Sequence, residues 1–86
     1  MDQHEPVKAL ETLADFESGQ RVIVERVVGR DRVAKRLMEM GIVPGVRVRI
    51  VKKAPFGDPI EVRVRGYNLA LRVSEAGTVE VSREAG

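Results

Sequence analysis

Arginine is the residue type that this chain carries both in number and in pattern. Arg47 and Arg49 alternate with Val46, Val48 and Ile50, and Arg63 and Arg65 alternate with Val62 and Val64. Period-two alternation puts the apolar set on one face of a strand and the arginines on the other. Planar guanidiniums bind carboxylates and phosphates through paired N–H donors, so such a face suits an acidic partner. Catalysis has far less to work with. His4 is the only histidine and there is no cysteine, so no nucleophile–base pair can be assembled. No Walker-type lysine follows the Gly29 turn, and paired carboxylates would meet only through tertiary accident. No catalytic, cofactor-binding or metal-ligating residue is assigned, and none is expected. Met38 and Met40 are soft ligands without imidazole or thiolate company. Core filling is the simpler role for Met38, and Met40 is expected near the surface.

The chain's totals narrow the class further. Eighty-six residues make one small domain with a modest core. No apolar run approaches the roughly 20 residues of a membrane span, and a soluble cytoplasmic protein is the expectation. The charge is uneven. Residues 1–20 carry five acidic side chains against Lys8, whereas residues 21–72 carry thirteen Lys or Arg against five Asp or Glu. A basic domain seeks an acidic protein surface, phosphate or nucleic acid. With one tyrosine, two phenylalanines and no tryptophan, stacking platforms for single-stranded nucleic acid have little to be built from.

The elements that must position these residues can be read in order. Residues 1–9, with Pro6 and the lone His4, read as a tail. Leu10, Leu13 and Phe16 are spaced by three, which fits one helical turn or an extended lead-in that plugs an end of the core. Arg21–Val28 reads as a strand whose imperfect alternation calls for a bulge or burial on both faces. Asp31 can cap a helix that runs through Met40, with Val33, Ala34, Leu37 and Met38 on its apolar face. Gly41 falls where a helix C-cap needs positive φ, and Pro44-Gly45 turns the chain. Arg32, Lys35, Arg36 and Met40 mark this helix and corner as a second candidate contact surface.

Val46–Lys53 and Ile60–Arg65 then form a hairpin. If its loop centres the register, Arg49 opposes Arg63 and Arg47 opposes Arg65. Like charges directly opposed are unfavourable unless Glu61, Glu80 or an acidic partner covers them. The connecting loop, residues 54–59, holds two prolines and a glycine. It is either a recognition tip with Phe56 as apolar anchor or a plain connection with Phe56 folded back. The second is the simpler reading. Tyr67 to Val73 alternates as another strand, residues 74–77 make a short turn, Thr78–Ser82 is the last strand, and residues 83–86 fray. The fold expected is mainly β: a small five-stranded barrel with one α-helix in the first connection.

An ordered series of short matches resembles the ferrous iron transport protein A (FeoA) family. They are Leu13 and Gly19; Arg36-Leu37, Gly41 and Pro44-Gly45; Ala54-Pro55, Gly57-Asp58-Pro59 and Gly66; and Leu71-Arg72, Glu75-Ala76 and Val81. The resemblance covers residues 10–82. It implies an SH3-like barrel and a non-catalytic cytoplasmic accessory of ferrous iron uptake. The implied partner is the cytoplasmic region of a FeoB-type permease, through which alone the chain would meet the membrane. A basic SH3-like module that binds nucleic acid, or a metal-responsive regulatory module, is the competing expectation. Nucleic acid is disfavoured by the shortage of aromatics, and a metal sensor by the missing ligands.

Overall fold

The computed structural model describes residues 11–84. The predicted tail with His4, the lead-in's Leu10 and the last two residues of the expected frayed end lie outside them. The chain runs β1 (Glu11–Thr12), a 3₁₀ turn (Leu13–Asp15), β2 (Arg21–Val27), α1 (Arg32–Glu39), β3 (Arg47–Lys53), β4 (Ile60–Val64), β5 (Tyr67–Leu71), α2 (Val73–Ala76) and β6 (Val79–Arg83). The six strands form one antiparallel sheet in the order β1-β6-β2-β3-β4-β5. This corrects the expected five strands and single helix. The lead-in is a two-residue strand on β6 followed by a 3₁₀ turn, and residues 73–76 close a full helical turn. Val73 consequently leaves the strand pattern and is exposed.

Capping explains where the helical pieces begin. Thr12 Oγ1 accepts from the Ala14 N–H at 3.3 Å, and the Thr12 N–H donates to Asp15 Oδ2 at 2.8 Å. This reciprocal box satisfies donors that a short helical turn leaves open. Leu13 and Phe16 are thereby delivered, fully buried, into the core. Asp31 caps α1 as expected, its Oδ1 accepting from the Ala34 N–H at 3.1 Å. The other end of α1 closes as a Schellman motif: the Ile42 N–H reaches the Leu37 carbonyl and the Gly41 N–H the Met38 carbonyl, both at 3.0 Å. Gly41 takes φ +100°, and Leu37 and Ile42 are both buried at this corner.

The core gathers Val22 and Val24, Val48 and Ile50, Ile60, Val62 and Val64, Leu71, Val79 and Val81 around Leu13, Phe16, Leu37 and Ile42. The irregular alternation of β2 is resolved by a bulge. Val24 pairs with Val81 and Arg26 with Glu80, leaving Glu25 unmatched. Met38 does not fill the core as expected. It is 42% exposed, because Ala34 and Leu37 already occupy the buried stripe of this short helix. Met40 is half-buried.

Candidate protein-contact site

The outward face of the hairpin carries the arginines, and the strand register decides which of them meet. Val48 pairs with Val64, Arg49 with Arg63 and Ile50 with Val62, as loop-centred pairing requires. A bulge at Val51 then shifts the loop side, so that Lys52 pairs with Glu61. The expected Arg47–Arg65 pair does not form. The β4–β5 turn is only two residues long, Arg65-Gly66, between paired Val64 and Tyr67. Both turn residues have positive φ, +51° and +89°, as a hairpin turn twisted to match its strands demands. Arg65 is thus a turn residue, and its side chain passes over Gly41 at the helix corner: a Cβ built there would lie 4.0 Å from Arg65 Cδ.

Arg21 extends the arginine face on the other side of β3. It pairs directly with Arg49 across β2 and β3, so Arg21, Arg49 and Arg63 form a continuous row over three neighbouring strands. Adjacent strands lie about 4.8 Å apart. Arg47 stands two residues along β3 on the same face, opposite Ile23. These four arginines, with Gly66 and Glu84, line a surface groove of about 280 Å³. Directly opposed like charges cost stability. Neither carboxylate proposed as relief reaches them: Glu80 pairs with Arg26 at 2.6 Å, and Glu61 lies 3.9 Å from Lys52 while accepting from Asn68 at 2.7 Å. Arg63 is steadied by Asn68 Oδ1 at 2.9 Å and the Gly66 carbonyl at 3.0 Å. Among the described residues only Glu84 supplies a counter-charge, 3.5 Å from Arg47. Arg21 was not anticipated, because alternation alone does not say which strand lies beside which.

The helix surface is partly committed to internal contacts. Arg36 forms an ion pair with Glu75 of α2, and Tyr67 donates its hydroxyl to the Met40 carbonyl. Arg36, Met40, Ala70, Leu71, Arg72 and Glu75 line a second depression of about 270 Å³. Arg32 and Lys35 are exposed, with no ion-pair partner among the described residues. Phe56 does not fold back: it is 99% exposed. Its loop is fixed by Ala54 N–H to the Pro59 carbonyl at 3.0 Å, Gly57 N–H to the Ala54 carbonyl at 2.7 Å, and Val73 N–H to Asp58 Oδ1 at 3.0 Å. Among the described residues, no group of three His, Cys, Asp or Glu is placed to hold a metal ion, and no helix is long and apolar enough to cross a membrane.

A small antiparallel sheet around one core, with capped short helices, defines a β domain of the SH3-like class. Residues 11–83 match the FeoA domain family, and the chain belongs to it. It is 39% identical to a FeoA-like protein from Clostridium acetobutylicum, with a TM-score of 0.83 over 93% of each chain. It is also 39% identical to a zinc-complexed FeoA of Stenotrophomonas maltophilia described as an SH3 domain protein, with a TM-score of 0.75 over 84% of this chain and 89% of that one. Among curated relatives, a Porphyromonas gingivalis Fe(2+) transport protein A/Fe(2+) transporter FeoB fusion protein is 38% identical over 69 residues, 80% of this chain. The chain spans only 8% of that relative's length. A manganese-dependent transcriptional repressor shares the fold, with a TM-score of 0.81 at 20% identity.

Proposed function

We propose that this chain is a non-catalytic, cytoplasmic accessory of ferrous iron uptake that acts by contact with the cytoplasmic region of a FeoB-type permease. The observation that supports this reading most is the fusion relative, in which a FeoA-type domain and the transporter are one polypeptide. Fusion fixes two domains at high effective concentration, an arrangement that suits partners that touch. The surface supports it as well. The described residues present a basic sheet face and a rigid apolar tip, the two components from which protein contacts are made.

The contact residues in this reading are Arg47, Arg49 and Arg63 on the sheet face, Phe56 at the tip, and Arg32, Lys35 and Met40 at the helix. Arg36 serves mainly to hold the corner, through its ion pair with Glu75, and Arg65 is a turn residue whose side chain lies near Gly41. The test is an NMR titration of the labelled chain with the cytoplasmic portion of its cognate permease, beside a nonspecific DNA duplex. Saturable shifts with the permease on the sheet face, the tip or the helix are expected. Shifts with DNA alone that collapse as salt rises would replace this reading with a basic nucleic-acid module.

A further inference from the structure

The row of arginines across β2, β3 and β4 ends on a carboxylate that belongs to the chain itself. β6 pairs with β2 through Val22 and Arg83, and the next backbone contact is the Glu84 N–H to the Arg21 carbonyl at 3.3 Å. Glu84 therefore stands beside Arg21, and both line the groove. Its hold there is poor. Oε2 is 3.5 Å from Arg47 Nε, outside good hydrogen-bond range, and Oε1 is buried with no hydrogen-bond partner among the described residues. A buried carboxylate oxygen left unpaired is costly, and the groove meanwhile keeps more guanidiniums than one carboxylate can serve.

We propose that this groove receives an extended acidic segment of a partner protein, and that Glu84 is an internal carboxylate that competes for it. The inference deepens the contact reading above and rests on it. Arg47 and Arg49 are two apart on one strand face, about 6.6 Å along the sheet. An extended peptide repeats its same-side groups at that interval, so carboxylates at alternate positions fall in step with the two guanidiniums. Arg21 and Arg63 widen the row to either side, over about 10 Å. A lone phosphate would satisfy one end of such a row and leave the rest opposed. When acidic side chains enter, the repulsion of Arg21 and Arg63 against Arg49 becomes shared attraction, and Glu84 is freed to solvent.

The experiment titrates the full chain, at low salt, with an acetylated peptide of alternating glutamate and alanine. The matching glutamine–alanine peptide, inorganic phosphate and a DNA duplex serve as comparators. Saturable amide shifts at residues 47–49, 63 and 84 are expected with the acidic peptide and not with its glutamine counterpart. Glu84→Gln should tighten binding about two- to fivefold, the range an exposed ion pair commands. Arg49→Ser, and independently Arg63→Ser, should weaken it at least fivefold with the melting temperature kept. No saturable shift, tighter binding of phosphate or DNA than of the peptide, or unchanged or weaker binding by Glu84→Gln would each overturn the proposal. Permease contact is read separately in the titration above, so loss of the groove and loss of the partner are distinguishable.

Discussion

Replacing Gly41 with alanine probes the corner on which helix, turn and sheet converge. Two costs add there. The backbone holds φ +100°, and a side chain in a left-handed conformation costs about 1–2 kcal/mol. The new Cβ would also lie 3.2 Å from the Tyr67 hydroxyl, tighter than ordinary contact, and that hydroxyl donates to the Met40 carbonyl. Displacing it forfeits a hydrogen bond worth about 1 kcal/mol. Gly41→Ala should therefore destabilise by about 2–3 kcal/mol, which for a domain of this size lowers Tm by roughly 10–20 °C. Gly45 is the built-in control. Its φ is +90° but nothing lies within 4 Å of a Cβ built on it, so Gly45→Ala should cost only the backbone part, about 1–2 kcal/mol. The two variants are compared by urea and thermal denaturation, each with and without Tyr67→Phe. In the Tyr67→Phe background the excess at position 41 should shrink. An unchanged Tm in Gly41→Ala would refute the backbone argument, and equal losses at 41 and 45 would refute the contact with Tyr67.

Other perturbations follow from the same geometry. Arg65 holds φ +51° in a two-residue hairpin turn, so Arg65→Asn, which favours such turns, should stabilise by about 1 kcal/mol in a denaturant melt. Asp31→Ala removes the side chain that caps α1 and should cost about 1 kcal/mol, with helical signal lost by circular dichroism. Arg49→Ser removes the centre of the arginine row; its Tm should hold or rise, and a fall would make that residue structural. Phe56→Ser, at a side chain that touches almost nothing, should leave Tm unchanged while weakening permease binding measured by calorimetry.

Local chemistry was enough to fix the pieces of this protein. Asp31 as a cap, Gly41 at positive φ and the Ile50–Val62 register all follow from short-range rules, since each depends on neighbours within a few residues or on one hairpin. The run of short matches from Leu13 to Val81 likewise carried the family. Long-range placement was beyond it. β1 exists only because β6, some seventy residues on, offers its edge to Glu11 and Thr12. Met38 lost the core to Ala34 and Leu37, and Phe56 stands exposed, outside the core that Leu13 and Phe16 join. The candidate site shows the division most clearly. Alternation supplied an outward arginine face on β3 and β4, but whether arginines meet is a question of register between strands. The two-residue turn took Arg65 away to Gly41, and the β2–β3 pairing brought in Arg21. Side-chain alternation specifies a face; only the assembled sheet specifies who stands beside whom on it.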